Sequence, residues 1–119
     1  MNKNNIFNFK RILQAFKYSI SGLIATFQSE PAFRQEVFLA VILIPVALLI
    51  NVAPVYKELM ISSIFLILIC ELANTAIEAI VDRISIEHHT LSKKAKDVGS
   101  TMVFIAFINA ILIWLIALI

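Results

Sequence analysis

The sequence has few of the residues that build disulfide frameworks, tight turns and phosphate-binding loops. It contains one cysteine, Cys70, two glycines and three prolines among 119 residues. A single cysteine excludes an internal disulfide, and two glycines exclude the glycine-rich loops that cradle phosphate in many nucleotide-binding proteins. Charged residues make up only 15% of the chain, and a net charge of +2 does not indicate a nucleic-acid partner. If the protein handles a nucleotide, it uses side chains and a metal ion.

Apolar residues, in contrast, are abundant and fall in long blocks. They make up 61% of the chain, against roughly 45–50% in soluble proteins. Because a helix needs about 20 residues to cross a bilayer, the blocks predict three membrane-spanning helices, at residues 33–52, 58–82 and 96–119. A loop is expected at residues 83–95. The sequence therefore predicts an all-α integral membrane protein, with residues 1–119 forming a single domain.

The N-terminal segment predicts a helix of a different kind. Over residues 6–28, apolar side chains recur at intervals of three and four residues, with lysine, glutamine and serine on another face. This pattern is typical of an amphipathic helix that lies in the membrane interface. Pro31 is expected to end this helix, since the residue before a proline disfavours helical geometry. Arg34 and Glu36 then fall at the interface end of the first span.

Basic residues are distributed unequally between the two predicted sides of the membrane. One side carries those before the first span and those around the loop: Lys3, Lys10, Arg11, Lys17, Arg34, Arg83, Lys93, Lys94 and Lys96. Lys57 alone lies on the other side. The positive-inside rule therefore places the N-terminus and the loop in the cytoplasm, and the C-terminus outside. Trp114, near the outer end of the last span, is expected in the aromatic belt.

The second span carries a polar stripe. Glu71, Asn74 and Glu78 are spaced i, i+3 and i+7, so they share one face of an otherwise apolar helix. Each charge at the bilayer centre costs about 2.5–3.5 kcal/mol on insertion scales, so the stripe needs a compensating partner. A hydrogen-bond seam between helices would suffice for Asn74. Two carboxylates repel each other unless a proton or cation lies between them, which favours a functional site with Glu71 as a general base.

Further charged residues border the predicted cytoplasmic side. Glu30 and Glu78 together could form a two-carboxylate site for a hard cation such as Mg²⁺. Lys96 and Asp97 open the third span, where a lysine can meet phosphate and an aspartate can accept hydroxyl groups. The paired histidines of the loop lack the further cysteine or histidine ligands that a zinc site requires, so zinc is not expected.

Three strings of the sequence match one protein family. They are residues 30–36 (EPAFRQE), 71–83 (ELANTAIEAIVDR) and 95–100 (AKDVGS). On these strings the chain resembles the prokaryotic integral-membrane diacylglycerol kinases. The resemblance implies a homotrimer in the bacterial inner membrane, with active sites between neighbouring subunits. It also implies transfer of the γ-phosphate of MgATP to the hydroxyl of diacylglycerol, which gives phosphatidic acid.

The resemblance also implies roles for individual positions. Glu71 corresponds to the catalytic base, with Asn74 beside it, and Glu30 and Glu78 correspond to ligands of the metal on the ATP phosphates. The positions implied to contact ATP are Arg11, Tyr18, Glu30, Glu78, Glu87, His88, His89, Lys96 and Asp97. Those implied to contact the lipid are Arg11, Glu71 and Ser100.

Other functions fit parts of the pattern. Undecaprenol kinases share the carboxylate and Lys-Asp motifs but phosphorylate a polyprenol, and the string at 33–36 favours the diacylglycerol branch. A proton-coupled transporter could use Glu71, although it would have no need of Glu30 or of the Lys96 and Asp97 pair. A purely structural membrane subunit would not depend on Glu78.

Overall fold

The protein is all-helical over the part of the chain that the computed structural model describes, residues 6, 8–84 and 89–119. Its four helices are α1 (Phe9–Ser29), α2 (Pro31–Leu49), α3 (Pro54–Ile84) and α4 (Thr90–Leu118). Helix α3 is central, since it packs against both α2 and α4, and α1 packs against α2. The sequence predicts that the C-terminal end of α3 faces the cytoplasm. The elements closest to that end are the α1–α2 corner and the start of α4.

Helix α1 ends where the sequence predicts, because of local backbone chemistry. Glu30 is extended, with φ −115° and ψ 104°, and Pro31 occupies the first turn of α2, where its missing N–H costs no hydrogen bond. Arg34 fixes the corner from the other side. Its Nη1 donates to the carbonyl oxygens of Phe27 at 2.8 Å and Gln28 at 2.9 Å, which have no partner within the end of α1. Glu30 is thus held at a rigid bend between two helices.

The packing between α3 and α4 uses small residues and one indole hydrogen bond. Ile67 of α3 is buried against Ala106 and Ala110 of α4, whose small side chains let the helices approach closely. Trp114 donates through Nε1 to the Met60 carbonyl oxygen and to Ser63 Oγ, each at 3.2 Å. The sequence predicts Trp114 in the aromatic belt without a partner, whereas in the structure its indole N–H joins the two helices.

Three helices, α2, α3 and α4, are long and apolar enough to cross a membrane. Most of their large apolar side chains face outward, among them Phe38, Phe65 and Phe104, which are all more than half exposed. Outward-facing apolar surface on this scale would be costly in water and suits a hydrocarbon solvent. The chain is therefore a membrane protein.

The helices and the spans predicted within them have different bounds. Helix α4 begins at Thr90, six residues before the predicted start of the third span, because His89 Nδ1 caps it by accepting from the Leu91 N–H at 3.1 Å. Helix α3 continues to Ile84, so helical structure extends into both ends of residues 83–95, where the sequence predicts a loop. At the other end of the chain, Asn8 Oδ1 accepts from the Arg11 N–H and starts α1 at Phe9. The span limits themselves stay predictions.

Candidate functional site

The polar stripe of α3 lies inside the helix bundle along most of its length. Glu71 and Asn74 are buried, with 6% and 8% of their surface exposed, and Glu78, one turn further on, is half-buried. Asn74 Nδ2 lies 3.4 Å from Glu78 Oε1, a long contact that joins the last two members of the stripe. The Thr75 hydroxyl bonds to the Glu71 carbonyl oxygen at 2.9 Å and so does not engage any carboxylate. The stripe therefore runs from the buried interior at Glu71 to a partly exposed end at Glu78, here called the open end.

Glu30 lies near the open end of the stripe. It sits at the α1–α2 bend, half-buried, and its carboxylate is close enough to that of Glu78 for the two to repel each other. Within the described residues, no group of three or more acidic, histidine or cysteine side chains could hold a metal by itself. Two converging carboxylates nevertheless fit the donor set of Mg²⁺, which usually takes few protein ligands and completes its shell with phosphate and water.

Glu36 belongs to the site, although the sequence analysis placed it only at the interface end of the first span. It is 8% exposed, and its carboxyl group lies close to that of Glu71, where α2 packs against α3. No signal in the sequence separates this face of α2 from the others, because the helix is apolar on all sides. Phe33, Glu36, Ala40 and Ala47, the buried residues of α2, follow one another at helical spacing, so Glu36 shares the face that packs against α3.

Lys96 and Asp97 lie together at the start of α4, but each has a separate partner. Lys96 Nζ is 2.6 Å from Asp82 Oδ1 and so joins α4 to the end of α3. Asp97 Oδ2 is 2.6 Å from Nζ of Lys93, one turn earlier on the same helix. All four side chains are exposed, so these ion pairs contribute little to stability and can exchange partners. Asp82 is a second residue that the sequence analysis left without a role.

The two helices approach most closely at Gly99. A methyl group at this position would clash with Asn74 Oδ1 and would lie 3.3 Å from Asn74 Cγ. Asn74 Oδ1 is buried and has no hydrogen-bond partner among the described residues. The next residue, Ser100, is exposed beside this contact. Gly99 therefore leaves space for the Asn74 amide that no other residue type would leave.

Some of the predicted nucleotide contacts are not gathered around the stripe. Arg11 and Tyr18 are exposed on α1, and the described residues show no hydrogen bond or ion pair between their side chains and the acidic groups. His89 caps α4 through Nδ1. Glu87 and His88 lie outside the described residues.

A groove separates α1 from α3 beside the stripe. It encloses about 540 Å³ and is lined on α1 by Ser19, Gly22, Leu23 and Thr26. Leu72, Thr75, Ala76 and Ala79 line it on α3. Its walls are weakly polar, and it opens between a helix of the predicted interface and a spanning helix.

The fold and the site define a membrane protein with a buried acidic cluster between its helices, and known proteins identify it further. The family model of prokaryotic diacylglycerol kinase matches residues 17–118. A diacylglycerol kinase of Pseudomonas aeruginosa is 52% identical over 105 residues, which cover 88% of this chain and 85% of that protein. The diacylglycerol kinase of Escherichia coli strain K12 is 45% identical over 115 residues, 97% of this chain and 94% of that protein.

A third relative, the diacylglycerol kinase of Haemophilus influenzae, is 46% identical over 103 residues, 87% of both chains. The chain therefore belongs to the prokaryotic diacylglycerol kinase family. It is an enzyme, a lipid kinase, which confirms the resemblance found in the sequence.

Proposed function

We propose that the protein transfers the γ-phosphate of MgATP to the hydroxyl of diacylglycerol and releases ADP and phosphatidic acid. The hydroxyl oxygen forms a bond to the γ-phosphorus while the bond from that phosphorus to the β,γ-bridging oxygen breaks. Glu71 takes the proton that the hydroxyl loses. The observation that carries this proposal is the burial of Glu71 between helices in a chain of this family.

Glu71 is suited to the role of base by its surroundings. Its side chain is buried and has no cationic partner among the ion pairs of the described residues. A carboxylate within hydrogen-bond reach of the lipid hydroxyl can take its proton as the bond to phosphorus forms. Asn74, one turn further on, lies between Glu71 and Glu78, where its amide can orient the Glu78 carboxylate.

Glu30 and Glu78 would hold the magnesium ion that accompanies ATP. When bound, the metal neutralises charge on the phosphate oxygens. The mutual repulsion of these two carboxylates is then offset by the cation. Both are partly exposed at the open end of the stripe, so a nucleotide can reach them without entering the apolar interior.

The remaining nucleotide contacts would come from α1 and from the start of α4. Lys96 is the strongest candidate. Its ion pair with Asp82 is exposed, so Lys96 can exchange the Asp82 carboxylate for a phosphate. Asp97, Arg11, Tyr18 and residues 87–89 are proposed to surround the rest of the nucleotide. Ser100 and Arg11 are proposed to face the lipid.

The assembly we propose is a homotrimer in the bacterial inner membrane, with the N-terminus and the α3–α4 connection in the cytoplasm and the C-terminus outside. Helix α1 would lie in the interface as an amphipathic surface helix, which its exposed Phe9, Ile12 and Phe16 support. A single subunit buries few side chains, and its described residues leave polar atoms of Glu36 and Asn74 unpaired. Active sites shared between neighbouring subunits would supply further contacts for them.

Undecaprenol phosphorylation is the alternative. Purified protein in detergent micelles is given MgATP labelled in the γ-phosphate, together with diacylglycerol or undecaprenol at the same mole fraction. The expected result is label in phosphatidic acid that requires magnesium and far exceeds label in undecaprenyl phosphate. A strong preference for undecaprenol would overturn the choice of substrate, and no transfer to either lipid would overturn the proposed function.

A further inference from the structure

Arg34 joins α2 to α1 through its side chain and has no role in the site described above. Its Nη1 donates to the carbonyl oxygens of Phe27 at 2.8 Å and Gln28 at 2.9 Å, both in the last turn of α1. Its backbone N–H donates to the Glu30 carbonyl oxygen at 3.2 Å. One residue of α2 is therefore bonded both to the end of α1 and to the residue at the bend.

The sequence explains why the end of α1 needs this contact. In a continuous helix the Phe27 carbonyl oxygen would accept from the backbone N–H four residues later, but that residue is Pro31, which has no N–H. Helix α1 also has no basic residue of its own in its last turn, where a positive charge is favourable. The Arg34 guanidinium supplies both the missing donor and the missing charge.

The Glu30 carboxylate takes no part in holding the bend. Glu30 occupies the N-cap position of α2, where an acidic side chain often accepts from an N–H of the first turn, but its side chain makes no such bond within the described residues. Its backbone N–H donates to the Thr26 carbonyl oxygen at 2.9 Å. The backbone of Glu30 is therefore fixed from both sides, while its carboxylate is left for another partner.

We propose that Arg34 is a positioning residue for Glu30, which it holds in place beside Glu78 by fixing the angle between α1 and α2. This inference rests on the proposed function, in which Glu30 and Glu78 hold the magnesium ion. Glu30 is the single residue between the two helices, so any change in their angle is absorbed by its backbone and moves its side chain. In this role Arg34 itself contacts neither the metal nor the nucleotide.

The first test measures the corner itself and does not depend on activity. Spin labels are attached to Ser21→Cys on α1 and Val41→Cys on α2, two exposed positions, in a Cys70→Ala background. The labelled protein is diluted with an excess of unlabelled protein, and the distance between the labels is measured by double electron–electron resonance.

We expect Arg34→Met to broaden the distance distribution, because the substitution removes both donors to the end of α1. Arg34→Lys, which keeps a cation with N–H donors, should narrow the distribution again. An unchanged distribution in Arg34→Met would overturn the proposal.

The second test asks whether Arg34 acts through Glu30. Arg34→Met should raise the magnesium concentration for half-maximal turnover about 10-fold, as the loss of a partner behind a metal ligand does, and leave the KM for MgATP at saturating magnesium unchanged. In a Glu30→Gln background, Arg34→Met should raise that concentration no further, since both substitutions remove the same interaction. Lys17→Met, which removes an exposed positive charge of α1 away from the corner, is the control.

The two tests separate the failure of this inference from the failure of the proposed function. If the wild type phosphorylates neither lipid but Arg34→Met broadens the distribution, Arg34 holds the corner and the proposed function is wrong. If the wild type is an active kinase and Arg34→Met keeps the wild-type magnesium requirement, Arg34 does not act through Glu30 and the inference is overturned. A higher KM for MgATP at saturating magnesium, with unchanged label distances, would mean that Arg34 binds phosphate directly and would also overturn the inference.

Discussion

The backbone of Gly99 on α4 lies directly against the side-chain amide of Asn74 on α3. A Cβ atom added at Gly99 would meet the Asn74 side chain, whereas a Cβ atom added at Gly22 on α1 would meet nothing within 4 Å. Both glycines are inside helices, so alanine gains a similar helix propensity at each, about 1 kcal/mol. The two substitutions therefore form a matched pair that isolates the packing of α3 on α4.

We expect Gly99→Ala to be less stable than Gly22→Ala by about 1–3 kcal/mol, the usual cost of overpacking. Gly99→Ala should also lower turnover, because Asn74 must rotate and lose its contact with Glu78. The free energy of unfolding, measured by titrating the detergent-solubilised protein with sodium dodecyl sulfate, tests the first expectation. Equal stability of the two variants would mean that the helices are not in contact at Gly99.

Lys96 gives a prediction about ATP rather than about stability. Its ion pair with Asp82 is exposed, so Lys96→Met should change the free energy of unfolding by less than about 1 kcal/mol. If Lys96 meets phosphate, the same substitution should raise the KM for MgATP about 10- to 100-fold, which corresponds to the loss of one charged hydrogen bond. Lys94→Met, an exposed neighbour without an assigned contact, serves as the control. An equal KM in both variants would remove Lys96 from the nucleotide site.

Glu30 and Glu78 lead to a prediction about magnesium. Replacing either by glutamine should raise the magnesium concentration for half-maximal turnover by at least about 10-fold, since even outer-shell partners of a metal contribute that much to its affinity. The free energy of unfolding should not fall, because the substitution relieves repulsion between the two carboxylates. Glu58→Gln is the matched control. A magnesium dependence like that of the wild type in both site variants would exclude these residues as ligands.

Trp114 gives a prediction about stability alone. Trp114→Phe removes the N–H that binds Met60 and Ser63 and should cost about 0.5–1.5 kcal/mol. Phe104→Leu, on an exposed part of the same helix, should cost less than about 0.5 kcal/mol. Unfolding titrations of the two variants test this difference. If they were equally stable, the indole would have only the interfacial role that its position near the end of the span suggests.

Local chemistry made some of this architecture predictable from the sequence. The bend at Glu30 follows from the backbone restrictions around Pro31, which act whatever the surroundings. The common face of Glu71, Asn74 and Glu78 follows from the helical period alone, and so does the number of apolar helices from block length. Each of these features depends on residues that are close together in the chain.

The features that could not be predicted from the sequence depend on how the helices pack. Helix α2 is apolar on all sides, so no polar face indicates which side meets α3, and Glu36 could not be assigned to the interior before its neighbours were known. The pairing of Asp82 with Lys96 depends on the rotation of α3 against α4, which the sequence does not express. Helix α4 begins before the third predicted span because lysine is a good helix former in water, whereas hydropathy marks only the membrane-facing part.

Glu71 carries the central claim, that the buried stripe is a catalytic site. The most direct test is a comparison of Glu71→Gln with the wild type in two assays: turnover of diacylglycerol at saturating MgATP, and equilibrium binding of ATP. We predict that kcat falls by about 10²–10⁴, the contribution of a general base, while ATP binds with unchanged affinity. Near-normal turnover in Glu71→Gln would contradict the assignment of Glu71 as the base.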